Sequence, residues 1–150
     1  MSMSIREHIM QTIQTAFEGM QSGVNNYNTT WHQIYRSPVP EDEQILINAL
    51  GIYSSDEQLD RDVGTSRRML SVNFEFYYRH QYGEAIETQL NSMLVDIQRL
   101  VESHYNWSDY VLDSIEEGNE FFYEVKEGIS MGLITYTIHY RHLSGDPLVQ

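Results

Sequence analysis

The sequence predicts an α+β fold: a single domain, residues 1–150, with two amphipathic helices packed against a largely antiparallel or mixed β-sheet. Three observations carry that expectation. In Arg68–His80, Leu70, Val72, Phe74, Phe76 and Tyr78 share one face while Ser71, Asn73, Glu75 and Arg79 take the other, the period-2 pattern of a half-buried strand. Gly128–His142 repeats the pattern with Ile134, Tyr136, Ile138 and Tyr140. Between them, Glu84–Ser103 carries Ile86, Leu90, Met93, Ile97, Leu100 and Val101 at helical spacing. At ~3.3 Å per residue each strand spans about 40–50 Å. That exceeds what a small domain needs for its own core, so part of each strand is expected to serve a neighbour.

The remaining elements follow in chain order. Ser4–Met20 is expected as the first helix, because Ile5, Ile9, Ile13, Phe17 and Met20 recur at steps of four and three. Ser2 or Ser4 caps its start, with Glu7 the capping-box partner of Ser4, and Gly19 and Gly23 bracket its end. A turn-rich stretch leads to a short strand at 31–36, stopped where Pro38 and Pro40 force extended backbone. Gln44–Tyr53 reads as another strand, although the ILINAL within it also fits a helical turn. The polar, charged run 54–66 reads as a mobile, solvent-facing loop. After the long helix, Tyr110–Glu116 and Glu120–Lys126 read as a hairpin turning at Glu117–Gly118–Asn119. Residues 143–150 read as a loose C-terminal tail. No internal repeat or linker interrupts this order.

Composition narrows the function classes. A hydrophobic fraction of 41% supports a packed core, and no stretch approaches the ~20 apolar residues of a membrane span. The N-terminus lacks the basic start and apolar run of a secretory signal. With no cysteine there are no disulfides, thiolate metal ligands or cysteine nucleophiles. Twenty-two Asp and Glu face nine Lys and Arg, a formal net charge of −13, and Lys126 is the one lysine. Nucleic-acid binding needs a cationic surface that displaces phosphate counterions, so a grip on DNA or RNA is not expected. Acidity serves solubility, or keeps the surface from sticking to a passing polyanion.

The search for reactive chemistry returns little. His139 and His142 point to opposite faces of a strand, while His8, His32, His80 and His104 have no second ligand at a recognised spacing. Gly128 and Gly132 are better placed to relieve packing or form a bulge than to cradle phosphate. The pairs Glu41/Glu43, Asp60/Asp62 and Glu116/Glu117 fall in expected loops and turns, where carboxylates are solvated. Phe74, Phe76, Tyr77 and Tyr78 interleave like a base-stacking platform, but only Arg67, Arg68 and Arg79 flank them. No enzyme, metal or cofactor is expected.

An N-terminal helix, a short strand, a proline-bearing acidic connection, a long strand, a helix of about five turns, a hairpin and a closing strand ending in YTIHYRHLSGDP together resemble the tail terminator (tail completion) proteins of tailed bacteriophages. The resemblance covers about residues 4–145 and rests on element order and the closing aromatic strand. It implies a small subunit that assembles, after synthesis in the host cytoplasm, as a homohexameric ring on the head-proximal end of the tail tube. There it ends tube polymerisation and offers a joining surface to the head connector or neck protein, with a lumen through which DNA passes unbound. The family brings no catalytic residues. An exposed edge or the run 54–66 is then expected to contact adjacent subunits or the tube protein, through Asp56, Glu57, Asp60, Arg61, Asp62, Arg67 and Arg68. Two rival readings share the composition: another neck component, such as a head-completion or connector-adaptor protein, and a cytoplasmic module binding a ligand in an apolar pocket between helix 84–103 and the sheet.

Overall fold

The computed structural model describes residues 3–62, 65–81, 83–103 and 111–143. Its elements are α1 (Ile5–Glu18), β1 (Ile34–Tyr35), β2 (Asn48–Asp62), β3 (Thr65–Arg79), α2 (Ile86–Ser103), β4 (Val111–Lys126) and β5 (Ile129–Leu143). Ser4 caps α1, its side chain accepting from the Glu7 backbone N–H. The strands form one sheet in the order β1-β2-β3-β5-β4, antiparallel throughout except for the two-residue β1 beside β2. No helix among the described residues is long and apolar enough to cross a membrane.

Register explains the core. Cross-strand partners share a face, so the pairings Val72↔Tyr136, Phe74↔Ile134 and Ile52↔Phe74 align apolar residues across three strands. Both helices cover this one face. Ile5, Ile9, Ile13 and Phe17 of α1 and Leu90, Ile97 and Val101 of α2 belong to the same buried cluster as Leu50, Leu70, Phe76, Ile138 and Tyr140. Phe74 sits at its centre, its ring 5.2 Å from Phe17 and 6.0 Å, edge-on, from Tyr136. Each fully buried side chain of this size contributes about 1.5–3 kcal/mol against the entropy of ordering the chain. At Gly132 an added Cβ would lie 2.1 Å from the Phe76 ring, so the bare backbone here makes room for an aromatic in the core.

The opposite face is only partly clothed. Val39, Ile45, Ala49 and Ile129 form a small second cluster, with Tyr35 and Tyr77 packed against it. The proline-bearing connection crosses the sheet at Gly51, where a Cβ would meet the Ser37 carbonyl at 2.5 Å. Expected extended backbone at Pro38 and Pro40 thus becomes a strap across one end of this face.

Two expectations are corrected. The run 54–66 is not a loop: its described residues are the far arms of a β2–β3 hairpin, paired in register from Gln58↔Met69 to Asp62↔Thr65 beyond an irregularity between Ser54 and Glu57. Buried apolar residues stop at Leu70 on β3, so both faces of the outer hairpin can carry polar side chains, and the period-2 signal vanishes from the sequence. Likewise Glu117–Gly118–Asn119 is not a turn. β4 runs unbroken from Val111 to Lys126, with a register shift between Glu116 and Gly118, and the chain reverses instead at Glu127–Gly128, where Gly128 adopts φ 75°. The EGN triplet carries turn residues, but the fifteen-residue β5 offers a continuous partner that absorbs them as a bulge. Leu143, expected in the loose tail, pairs with Thr65. Ser2, His104, Tyr110 and the tail residues 144–150 lie outside the described residues.

Candidate functional site

Two parts of the sheet reach past the main buried cluster: the outer β2–β3 hairpin and much of the edge strand β4. The hairpin holds the seven residues named from sequence, and the structure divides them. Glu57 and Arg68 face the helix side and meet, with Arg68 Nη1 3.5 Å from Glu57 Oε2. Arg6 of α1 reaches the same carboxylate at 3.3 Å and donates to Ser54 Oγ at 2.6 Å. The Tyr140 hydroxyl of β5 also donates to Glu57. Four elements are thereby tied through one carboxylate whose side chain is 15% exposed. Burial, and then the Glu57 carboxylate, raise the Tyr140 phenol above its ordinary range. Glu57 and Arg68 are therefore the hairpin's root rather than part of a free contact surface.

The other five are placed by position and register. Asp56 is exposed at the β2 irregularity, accepting from Ser55 Oγ at 3.4 Å. Arg67 pairs in register with Asp60 on one side and Arg141 on the other. Arg61 and Asp62 continue the arm opposite Ser66 and Thr65. A charge run that reads as one site in sequence is thus divided, with Glu57 and Arg68 held in the knot and Asp56 exposed beside it.

Sequence reasoning read β4 as the two strands of a hairpin and named none of its residues as a contact surface. Twelve of its sixteen residues are exposed, which sets it apart from the paired strands β3 and β5. Ile115, Phe122, Tyr123 and Val125 stand among exposed Asp113, Glu117, Glu120 and Glu124. The signal was present as EFFYEV, an apolar run between acids, but the adjacent EGN disguised its continuity.

Hollows of several kinds also mark the surface. A shallow cleft of about 370 Å³ lies at the β4 bulge, lined by Glu117, Gly118, Asn119, Glu120, Leu133 and Thr135. One of about 560 Å³ lies between the 22–32 connection and α2, lined mainly by uncharged polar groups such as Thr30, His32, Asn48 and Gln89. Its polar walls are largely mutually bonded: Asn48 Oδ1 accepts from the His32 N–H at 2.8 Å and its amide donates to the Thr30 carbonyl at 2.9 Å. The third, about 340 Å³, lies under the strap beside Ile45, Tyr77 and Val125. The α2–sheet interface, where an apolar ligand was one expectation, is filled by Leu90, Met93, Ile97 and Leu100.

Glu75, on the open face, accepts from Tyr77 at 2.7 Å and from Tyr53 at 3.1 Å. Burial first, then the Glu75 charge, push the Tyr53 phenol up to about 12. Through Glu75 these hydrogen bonds tie β2 to β3 across the open face. Among the described residues no three His, Asp or Glu side chains converge as a metal site.

No protein-family model matches this chain, and no curated protein matches it.

Proposed function

We propose that this chain is a structural, non-catalytic subunit of a phage virion: a tail terminator that forms a ring, with six copies expected, on the head-proximal end of the tail tube. The observation that carries the reading is the reach of the sheet beyond its own core. The β2–β3 ladder continues past Leu70, the last buried apolar residue among those described on β3, as far as Asp62↔Thr65. Among the described residues two sheet margins lack a neighbouring strand, the outer part of β2 and the outer side of β4, because β1 pairs only with Leu50 and Gly51. A subunit with distinct surfaces at opposite sheet margins suits a head-to-tail interface, which closes into a ring when the rotation is right.

The charge supports the same reading. At −13, a lumen formed by copies of this chain repels DNA instead of binding it, so a genome can slide through. Assembly of such acidic copies should strengthen with salt or divalent ions that screen their repulsion.

The test is electron microscopy of tails assembled with and without the protein. Tubes of uncontrolled length in its absence, and a ring on finished tubes in its presence, are the expected result. Tubes of uniform length without it would refute the reading. A variant whose hairpin is closed by a tight turn after Leu59 and before Arg68 should keep the fold, since it retains Arg68 beside Glu57 and buried Tyr140, and lose attachment to tubes.

A further inference from the structure

We propose that the outer edge of β4 is a docking site for an extended, arginine-bearing segment of another protein, which adds to the sheet as a sixth strand. The inference does not depend on the ring reading, because the edge exists whatever particle the chain belongs to.

β4 is the terminal strand of the sheet, and no described residue forms a backbone ladder with its outer side. Exposed edges are ordinarily blunted by shortness, proline, lysine or cover. This one is sixteen residues long and contains no proline, and its one lysine, Lys126, donates to the Glu41 carbonyl at the far end. Irregularities interrupt its pairing with β5 near each end and at Glu116/Gly118, but Gly118–Phe122 lies in unbroken register with Thr135–Met131. Five regular residues match the common length of a strand, so this central stretch can template one more.

Charge selects the occupant. Asp113, Glu117, Glu120, Glu124 and Glu127 are exposed along the strand and its turn. A second copy pairing β4 to β4 would set two such rows about 4.8 Å apart, well within the Debye length of ~8 Å at physiological salt. Phosphate backbones and anionic lipid surfaces are repelled for the same reason. A cationic polypeptide is attracted.

The shallow cleft at the bulge adds a geometric reason for arginine. Its floor is Leu133 and Thr135 and its rim holds Glu117 and Glu120, with Gly118 leaving one wall bare. The aliphatic stem of an arginine can lie on Leu133 while its guanidinium reaches the rim carboxylates, as amphipathic cations do on mixed surfaces. Ile115 and Phe122, which pair with Thr137 and Met131 and so share the open face, flank the cleft with exposed apolar surface. The best segment alternates arginine with β-branched residues.

The test is an NMR titration of the full chain with the peptide Val-Arg-Val-Arg-Val, its glutamate counterpart, and a copy of the arginine peptide N-methylated at alternate backbone amides. Expected are shifts confined to β4 and the neighbouring part of β5, slowed amide exchange within Gly118–Phe122, and affinity that falls as salt rises. N-methylation keeps the charge but removes the ladder, and should weaken binding roughly tenfold or more. The double variant Glu117→Gln/Glu120→Gln, both exposed and so compatible with folding, should weaken it several-fold. Equal binding of the N-methylated peptide would reduce the effect to diffuse charge attraction and overturn the proposal. So would shifts centred elsewhere, no binding of the arginine peptide, or self-association of the chain through β4.

Discussion

β3 and β5 lie at the centre of the sheet and β4 at its margin, and the contrast separates what holds the molecule together from what it offers outward. On the central strands the even-numbered residues from Leu70 to Phe76 and from Ile134 to Tyr140 are buried, and each docks on helices from elsewhere in the chain. On β4 only Val111 and Ser114 are buried, and apolar and acidic side chains stand exposed on the remainder. All three strands are long enough to pair. The difference lies in which face a helix covers, and it teaches that strand length here reports on partnership while alternation reports on burial.

That contrast can be broken or sharpened experimentally. Alkaline pH should act most strongly, because Tyr53, Tyr77, Tyr78, Tyr136 and Tyr140 all sit on β2, β3 and β5, and burial raises every one of their phenols. A raised folded-state value favours the neutral form, so the contribution is intact below the ordinary value of 10.0 and is lost as pH rises through the folded values, which for Tyr53 and Tyr78 are about 12. Circular dichroism and tyrosinate absorbance should therefore change together across that window. Phenols that ionise near 10 with the fold intact would show that the central strands are not the closed core described here.

Phe74→Ala comes next. The residue is 0% exposed and touches rings of both a helix and a neighbouring strand, so its loss should cost about 3–5 kcal/mol in urea unfolding. Glu57→Ala should cost less, about 1–2 kcal/mol, because it unties the knot of Arg6, Arg68 and Tyr140 at a site still reached by solvent. Raised salt should weaken the native protein more than this variant, and an equal salt response would deny the knot its ionic character. Tyr136→Phe should raise stability by about 1 kcal/mol, since the Tyr136 hydroxyl is buried without a hydrogen-bond partner among the described residues. A lower melting point for that variant would reveal a partner the geometry lacks. Phe122→Ser, on exposed β4, should stay within about 0.5 kcal/mol of the native chain, and a large loss there would erase the distinction between centre and margin.

The alternating runs at β3 and β5 and the stripes of α1 and α2 were legible because each element buries one face, and burial writes its period into the residue types. The outer hairpin was not. Ser54–Asp62 is polar in sequence apart from Leu59, so no alternation distinguishes it from a loop, and its strand character comes from the register offered by β3. β4 was misread for a related reason: a glycine between polar residues is a turn signal locally and a bulge when a continuous partner lies alongside.

The candidate surface was divided in the same way. Sequence placed charge in the 56–68 region, but only the fold turned Glu57 and Arg68 inward onto Arg6 and Tyr140, residues about fifty and eighty positions from Glu57 along the chain. By itself the sequence determined the α+β class, the helix faces, the two central strands and the acidic surface, because each depends on residue type and short-range spacing. Strand order, the length of the hairpin, the exposed β4 edge and its cleft were decided by tertiary structure. Pairing between distant segments sets them, and a backbone hydrogen bond leaves no mark on the side chains of the residues that make it.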